Sequence, residues 1–368
     1  MDKKIKVGIT HGDINGVGYE IILKTFEDEE MFQICTPVVY GSPKVATYHK
    51  KALECQTNFN VRNSADDILD NNLNLINCFG ETELKINYGM ATEESGKAAF
   101  LALNQAMNDL KDGKIDVLVT APLCKSVIKG KESVFPGHTT YIEKRLGEGS
   151  NALEILVSPE IRIALATSDI PLNKVAESIT ADLIKDKLTV LNDTLKRDFC
   201  VDGPRIAVLS LNPDYDANSN VENEDTQIIA PAISELFSSK KVRCFGPYPA
   251  ESFFSQRHYT HFDAVLAMYY DQGIVPFNSI SLDGGIKYTA GLPVVHTEPA
   301  HGTEYDIAGK NAADPSSLRM AIYDAIDILR QRDRFDQAHA HPLRRQYYEK
   351  RDDSDKLKLD QVTENDTL

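Results

Sequence analysis

The feature that most constrains the fold of this chain is an alternation. Short apolar, β-rich runs give way repeatedly to longer segments with helical periodicity, the pattern of an α/β protein whose helices pack on mostly parallel sheets. The strand candidates include Ile5–Thr10, Pro37–Tyr40, Leu75–Phe79, Val117–Thr120, Ile161–Thr167, Ile206–Leu211 and Ala264–Met268. The clearest helix lies between Thr180 and Phe199, where Thr180 is placed to cap the first turn and Ile184, Leu188, Leu191, Leu195 and Phe199 form one apolar stripe. A second spans residues 94 to 110 through Ala99, Phe100, Leu103, Met107 and Leu110. Both stripes read as core.

A chain of 368 residues is about two and a half typical domain lengths of ~150, so two domains are expected. Its 42% hydrophobic and 26% charged residues exclude disorder as the dominant state. Forty Lys and Arg against fifty-five Asp and Glu give a net charge of -15, which repels nucleic-acid phosphates and anionic lipid, and no basic patch offsets it. The start, MDKKIKVGIT, lacks the apolar core of a signal peptide, and no run of ~20 apolar residues could span a bilayer. A cytoplasmic protein with neither nucleic-acid nor membrane partners is expected. The cysteines, Cys35, Cys55, Cys78, Cys124, Cys200 and Cys244, show no C-x-x-C pair or zinc-ligand spacing and read as thiols of a reducing compartment.

Chemistry is expected at three places. Gly12, Gly16 and Gly18 lie in the first strand-to-helix turn, residues 10 to 20, but not at the G-x-G-x-x-G spacing of a dinucleotide fingerprint, so positive φ or close packing is the simpler role. VTAPLCK (119 to 125) and FPGHTT (135 to 140) put Lys125, His138, Thr139 and Thr140 at a strand end and a helix start, where a ligand crevice forms, although a threonine there also serves as a plain helix cap. The third lies between Ala267 and Asn311. Elsewhere the acidic stretch Asp214–Asp225 reads as a solvated loop or helix start, and the charged tail after Ala338 as frayed.

The third region is the most specific. EPAHGTEYDIAGKNAADP (298 to 315) resembles the nucleotide-binding loop of the isocitrate and isopropylmalate dehydrogenase superfamily, which binds NAD or NADP on a non-Rossmann fold. With GDINGVGYE at the first turn, VTAPLCK, FPGHT, GPYPA (246 to 250), AMYYDQG (267 to 273) and TAGLP (289 to 293), the chain resembles the 4-hydroxythreonine-4-phosphate dehydrogenase family of pyridoxal phosphate biosynthesis, from about residue 4 to the helix near residue 330.

The resemblance implies two α/β/α domains with a cleft between them. One is discontinuous, residues 1–130 plus 290–335; the other, 131–289, is inserted and carries the dimer interface; residues 336–368 form a charged extension. It implies a homodimer with a shared active site that uses NAD to oxidise the C3 hydroxyl of a phosphorylated hydroxy amino acid, after which the β-keto acid loses carbon dioxide. His301, Gly302, Thr303, Asp306 and Asn311 match the cofactor loop, and His138 and Thr139 match substrate contacts. Three further substrate positions differ, with Asn278 for a lysine, Lys287 for an asparagine and His296 for an arginine, which weakens the phosphate clamp. The family's three metal-binding histidines are replaced by Asp169, Asp214 and Tyr270. Two carboxylates, with Asp271 nearby, favour Mg²⁺ or Mn²⁺ over Zn²⁺, or no metal at all. Lys125 and Asp271 complete the candidate catalytic set. These replacements leave other readings open: a divergent paralogue with altered substrate or metal, or an inactive NAD- or ligand-binding regulatory subunit.

Overall fold

In the computed structural model, which describes residues 4–128, 135–216, 221–282 and 284–341, twelve strands pair into one continuous sheet. In chain order they are β1 (Ile5–Thr10), β2 (Cys35–Gly41), β3 (Phe59–Arg62), β4 (Leu73–Asn77), β5 (Val117–Thr120), β6 (Leu153–Val157), β7 (Arg162–Leu165), β8 (Arg205–Leu209), β9 (Arg243–Tyr248), β10 (Ala264–Ala267), β11 (Ile286–Ala290) and β12 (His296–Pro299). Their order across the sheet is β3-β4-β2-β1-β5-β12-β11-β6-β7-β10-β8-β9. One flank, β3 through β12, is parallel throughout, and so is the other, β7 through β9. Between them β11 runs antiparallel to β12 and β6, and β6 antiparallel to β7.

The apolar runs are strands because both of their faces are covered. On β2, Val39 packs into one apolar layer while Val38 and Tyr40 enter the other; on β5, Val117 and Val119 oppose Leu118 in the same way. This is the period-2 alternation of a buried strand, with apolar side chains on both sides. The helix Glu93–Lys111 covers β1, β2 and β5, and Ser316–His339 covers β12, β5 and β11. The helix Ala181–Arg197 buries Ile184, Leu188, Leu191 and Leu195, and its start is capped by Thr180, whose hydroxyl accepts from the Leu183 N–H at 3.2 Å.

A buried polar knot ties the last helix to the sheet. Arg332 donates to Asp198 from Nε at 2.7 Å and Nη2 at 3.2 Å, to the Tyr288 hydroxyl at 2.7 Å, and to the carbonyls of Leu292 and Val294. Tyr288 in turn donates to Asp198 at 2.5 Å, so each charged or polar member has a partner.

The acidic stretch ends in a helix start at Asp225, one of its two expected forms, but that residue is not solvated. Asp225 is fully buried, accepting the backbone N–H groups of Leu211 at 2.6 Å and Asn212 at 3.0 Å and the Asn212 side chain at 2.9 Å. A carboxylate that gathers backbone donors where β8 ends gives the loop internal structure, which composition alone does not reveal. Residues 217–220 of this stretch and residues 342–368 of the tail lie outside the described residues. Among those described, no helix is long and apolar enough to cross a membrane. All six cysteines are free thiols.

Candidate active site

The middle of the sheet carries polar side chains where the flanks carry apolar ones. Alternation along β12 sends Thr297 to the covering helix, where it donates to the Ala321 carbonyl at 2.7 Å, and turns His296 and Glu298 to the other face. On β11, Tyr288 joins the buried knot, so Lys287 and Thr289 face the opposite way. The antiparallel register pairs Lys287 with Glu298 and Thr289 with His296, and β6 sets Glu154 opposite Thr289. Three short strands thereby gather two carboxylates, an ammonium, an imidazole and a hydroxyl on one face.

A cleft of about 500 Å³ opens over them, lined by Lys125, His138, Thr139, Glu154, Ser168, Asp169, Tyr269, Tyr270, Asp271, Lys287 and Glu298 among others. The segments that follow β5, β7 and β10 supply Lys125, Asp169 and Tyr270 respectively, Tyr270 as the first residue of a helix. The helix His138–Leu146 supplies the imidazole of its first residue, whose Nδ1 lies 2.5 Å from Glu298 Oε2. Since a carboxylate only accepts, Nδ1 carries the proton, and the buried Nε2 has no partner among the described residues. Thr139 meets the Thr289 hydroxyl at 3.2 Å, so it is a cleft residue and not the helix cap; Gly137 occupies the cap position.

Electrostatics separate the two carboxylates. Burial pushes the Glu154 carboxyl up to about 7, against the pull of Lys287 and with a contribution from the Glu298 charge. Burial acts on Glu298 in the same sense, but His138 and Lys287 outweigh it and hold that carboxyl well below the usual range. Burial alone would lower Lys287; Glu298, Glu154 and Tyr270 reverse this, and the ammonium is held above its ordinary value. His296 is fully buried, which lowers it to about 3 and keeps it neutral, its nitrogens bonded to Thr120 at 2.9 Å and Thr289 at 2.8 Å. It braces the wall of the cleft and has no nitrogen left for a phosphate.

The remaining sequence candidates are distributed unevenly. Lys125 and Asp169 form an ion pair at 2.6 Å, and Gly137 beside them has φ +97°, a backbone conformation that favours glycine. Asp214 lines a neighbouring cavity that meets the cleft at Tyr269 and Asp271. Asn278 is exposed on the helix Tyr270–Ile280, outside the cleft lining. Glu154, Glu298 and Thr289 were not singled out from the sequence, although a polar residue inside a run such as LEILV, where every neighbour is buried, is a usable signal.

The positions that carry histidines in the resembling family do not assemble a metal centre within the chain. Asp169 is committed to Lys125, Asp214 lines the adjoining cavity, and the Tyr270 ring lies 5.7 Å from the Lys287 ammonium. Among the described residues, one group of histidine and carboxylate atoms is close enough to hold an ion: His138, His296 and Glu298. Both His296 nitrogens, His138 Nδ1 and Glu298 Oε2 are engaged in hydrogen bonds, and a cation stands opposite. These donors do not suit a metal ion.

The 298–315 loop folds against the first turn. The Val17 N–H donates to the Thr303 carbonyl at 3.2 Å, and a Cβ on Gly16 would sit 2.7 Å from that oxygen. Gly16 thus serves close packing and Gly12, at φ +68°, a left-handed turn, the two roles expected of these glycines. Asp13 reinforces the contact by accepting from Tyr305 at 2.7 Å and Ser95 at 3.0 Å. In the same loop His301 Nε2 is buried without a partner among the described residues, and Gly302 has nothing within 4 Å of where a Cβ would stand, so a bare backbone borders open space beside an unpartnered nitrogen. That setting suits a nucleotide. Asn311 reaches the Leu53 carbonyl at 3.4 Å, while Asp306 is exposed.

Comparison with known proteins agrees with this geometry. Residues 33–325 match the family described as pyridoxal phosphate biosynthetic protein PdxA. The chain is 52% identical to a 4-hydroxythreonine-4-phosphate dehydrogenase of Bacteroides thetaiotaomicron over 99% of this chain and 100% of that one. It is 35% identical to the protein of that name from Sulfurihydrogenibium, over 89% of this chain and 99% of the relative. A crystal structure of a 4-hydroxythreonine-4-phosphate dehydrogenase from Burkholderia phymatum superposes with a TM-score of 0.70 at 28% identity, covering 89% of this chain and 99% of that one.

Proposed function

Because the chain belongs to the pyridoxal phosphate biosynthetic protein PdxA family, we propose that it is an NAD-dependent dehydrogenase that oxidises, and then decarboxylates, 4-phosphooxy-threonine. The observation that carries the reading is the cleft: a pair of carboxylates held at different protonation ranges, a fixed ammonium and an idle imidazole nitrogen, all on rigid strands or a helix start. Such a constellation moves protons and stabilises charge without having to reorganise.

Each residue has work to do. Thr139 and His138 hold the substrate from the helix start, and Lys125 and Lys287 supply cations toward its anionic groups. Glu154, poised near neutrality by burial, exchanges the hydroxyl proton. Glu298 keeps its charge, fixes the His138 tautomer and orients Lys287 from the facing strand. His301, Gly302, Thr303, Asp306 and Asn311 would hold the NAD, which when bound accepts the hydride. No step is assigned to a metal.

The wider organisation follows the same reading. Domains 1–130 plus 290–335 and 131–289 are supported by the return of β12 and the helix Ser316–His339 to β5, after the chain has built the other flank. A homodimer that completes the cleft, and a cytoplasmic location, belong to the same proposal. The test is NADH formation from phosphorylated 4-hydroxythreonine by purified protein. Steady turnover with release of one carbon dioxide per NADH is expected; NAD binding with no turnover would establish the regulatory-subunit reading instead.

A further inference from the structure

Oxidation of a carbinol followed by loss of carbon dioxide puts negative charge on one oxygen twice, first as the hydroxyl gives up its proton and again as the carbon–carbon bond breaks. Some positive group must stand beside that oxygen. The residues at the resembling family's metal positions are paired elsewhere or set apart, and in the one histidine–carboxylate group among the described residues close enough to bind an ion, both His296 nitrogens, His138 Nδ1 and Glu298 Oε2 are already engaged in hydrogen bonds. What the cleft does contain is a cation on a rigid strand. Lys287 projects from β11 directly opposite Glu298 and two residues from the register partner of Glu154, with the Tyr270 ring 5.7 Å away. It is only partly buried and lines the cleft.

We propose that the Lys287 ammonium replaces a divalent ion in this chain, standing beside the reacting oxygen and stabilising the charge that develops there, so that the reaction is independent of metal. The inference rests on the dehydrogenase reading above. In the first step the carbinol C–H bond breaks, its hydride passes to the nicotinamide of NAD, the hydroxyl proton passes to a cleft carboxylate, and the oxygen becomes a carbonyl. In the second, the bond to the carboxylate carbon breaks, carbon dioxide leaves, and the electron pair moves to the carbonyl oxygen as an enolate. Lys287 stabilises that enolate until a proton from the cleft returns to carbon.

The assay compares untreated protein, EDTA-dialysed protein and dialysed protein supplied with Mg²⁺, Mn²⁺, Zn²⁺ or Co²⁺, with elemental analysis of each sample. Unchanged kcat after dialysis and no stoichiometric metal are expected. Turnover that vanishes on dialysis and returns with a metal would overturn the proposal while leaving the dehydrogenase reading intact. Absence of NADH under every condition would remove the reading itself. Lys287→Met is expected to lower kcat by about 10²–10³-fold, the effect of removing one oxyanion-stabilising group, with the NAD-induced thermal shift retained. Lys287→Arg should recover part of the loss. A Lys287→Met protein that keeps its kcat would equally refute the role, and should that variant fail to fold, the dialysis measurement on the wild-type protein decides alone.

Discussion

Glu154→Gln should make the protein more stable, and only above a definite pH. The carboxyl is buried in the middle of β6, and its pKa is raised from 4.5 to about 7, chiefly by that burial. A group whose folded pKa lies above its unfolded one binds more protons in the native state, so stability falls as pH rises between the two values and stays low above them. Each tenfold difference in proton affinity between the folded and unfolded chain is worth ~1.4 kcal/mol, so the ionised carboxylate costs the native state about 3 kcal/mol above neutrality. Glutamine has nearly the same shape and never ionises. Urea unfolding of both proteins at about pH 5 and about pH 8 should therefore show little difference at the lower value and a gain of about 3 kcal/mol for Glu154→Gln at the higher. Other titrating groups are common to the two proteins and cancel in the comparison. Parallel stability curves, or a variant that loses ground as pH rises, would refute the reasoning. Because this carboxyl also exchanges the substrate proton in the proposed reaction, the stabilised variant should turn over poorly, a stability–function trade of the usual kind.

Two further outcomes follow from packing. Arg332→Met leaves Asp198 buried with Tyr288 as its remaining side-chain partner, and a broken buried pair should cost about 3–5 kcal/mol in chemical denaturation; a loss below about 1 kcal/mol would mean the knot is solvated. Gly16→Ala drives a Cβ into the Thr303 carbonyl and should shift the 298–315 loop, abolishing the NAD-induced thermal shift while the far-ultraviolet spectrum stays unchanged. A normal thermal shift would separate the first turn from the cofactor loop.

Much of the fold was legible because burial on both faces leaves apolar runs with little ambiguity. Ile5–Thr10 and Val117–Thr120 match β1 and β5 end to end, and the Thr180 cap is present. The site was legible only where ordered motifs stood out: His138, Thr139, Lys125, Asp169, Tyr270, Asp271 and Lys287 all line the cleft. Glu154 and Glu298 escaped notice because their strands are short and their character comes from burial, in the one case, and from His138 and Lys287, distant in sequence, in the other, relations that folding creates and linear spacing conceals. Asp225 escaped for the same reason: its acidic neighbours mark a loop, whereas its burial depends on where β8 ends.

The antiparallel centre of the sheet has a mechanical meaning as well. Strands that stay hydrogen-bonded from one flank to the other leave no loop hinge across the middle, so relative motion of the flanks must be taken up as a change of twist. Twisting displaces a strand in proportion to its distance from the axis, and β12, β11 and β6 lie closest to that axis. Glu154, Lys287 and Glu298 stand on those three strands, so a change of twist leaves their mutual spacing nearly untouched, and the chemistry is done at the still point of the motion.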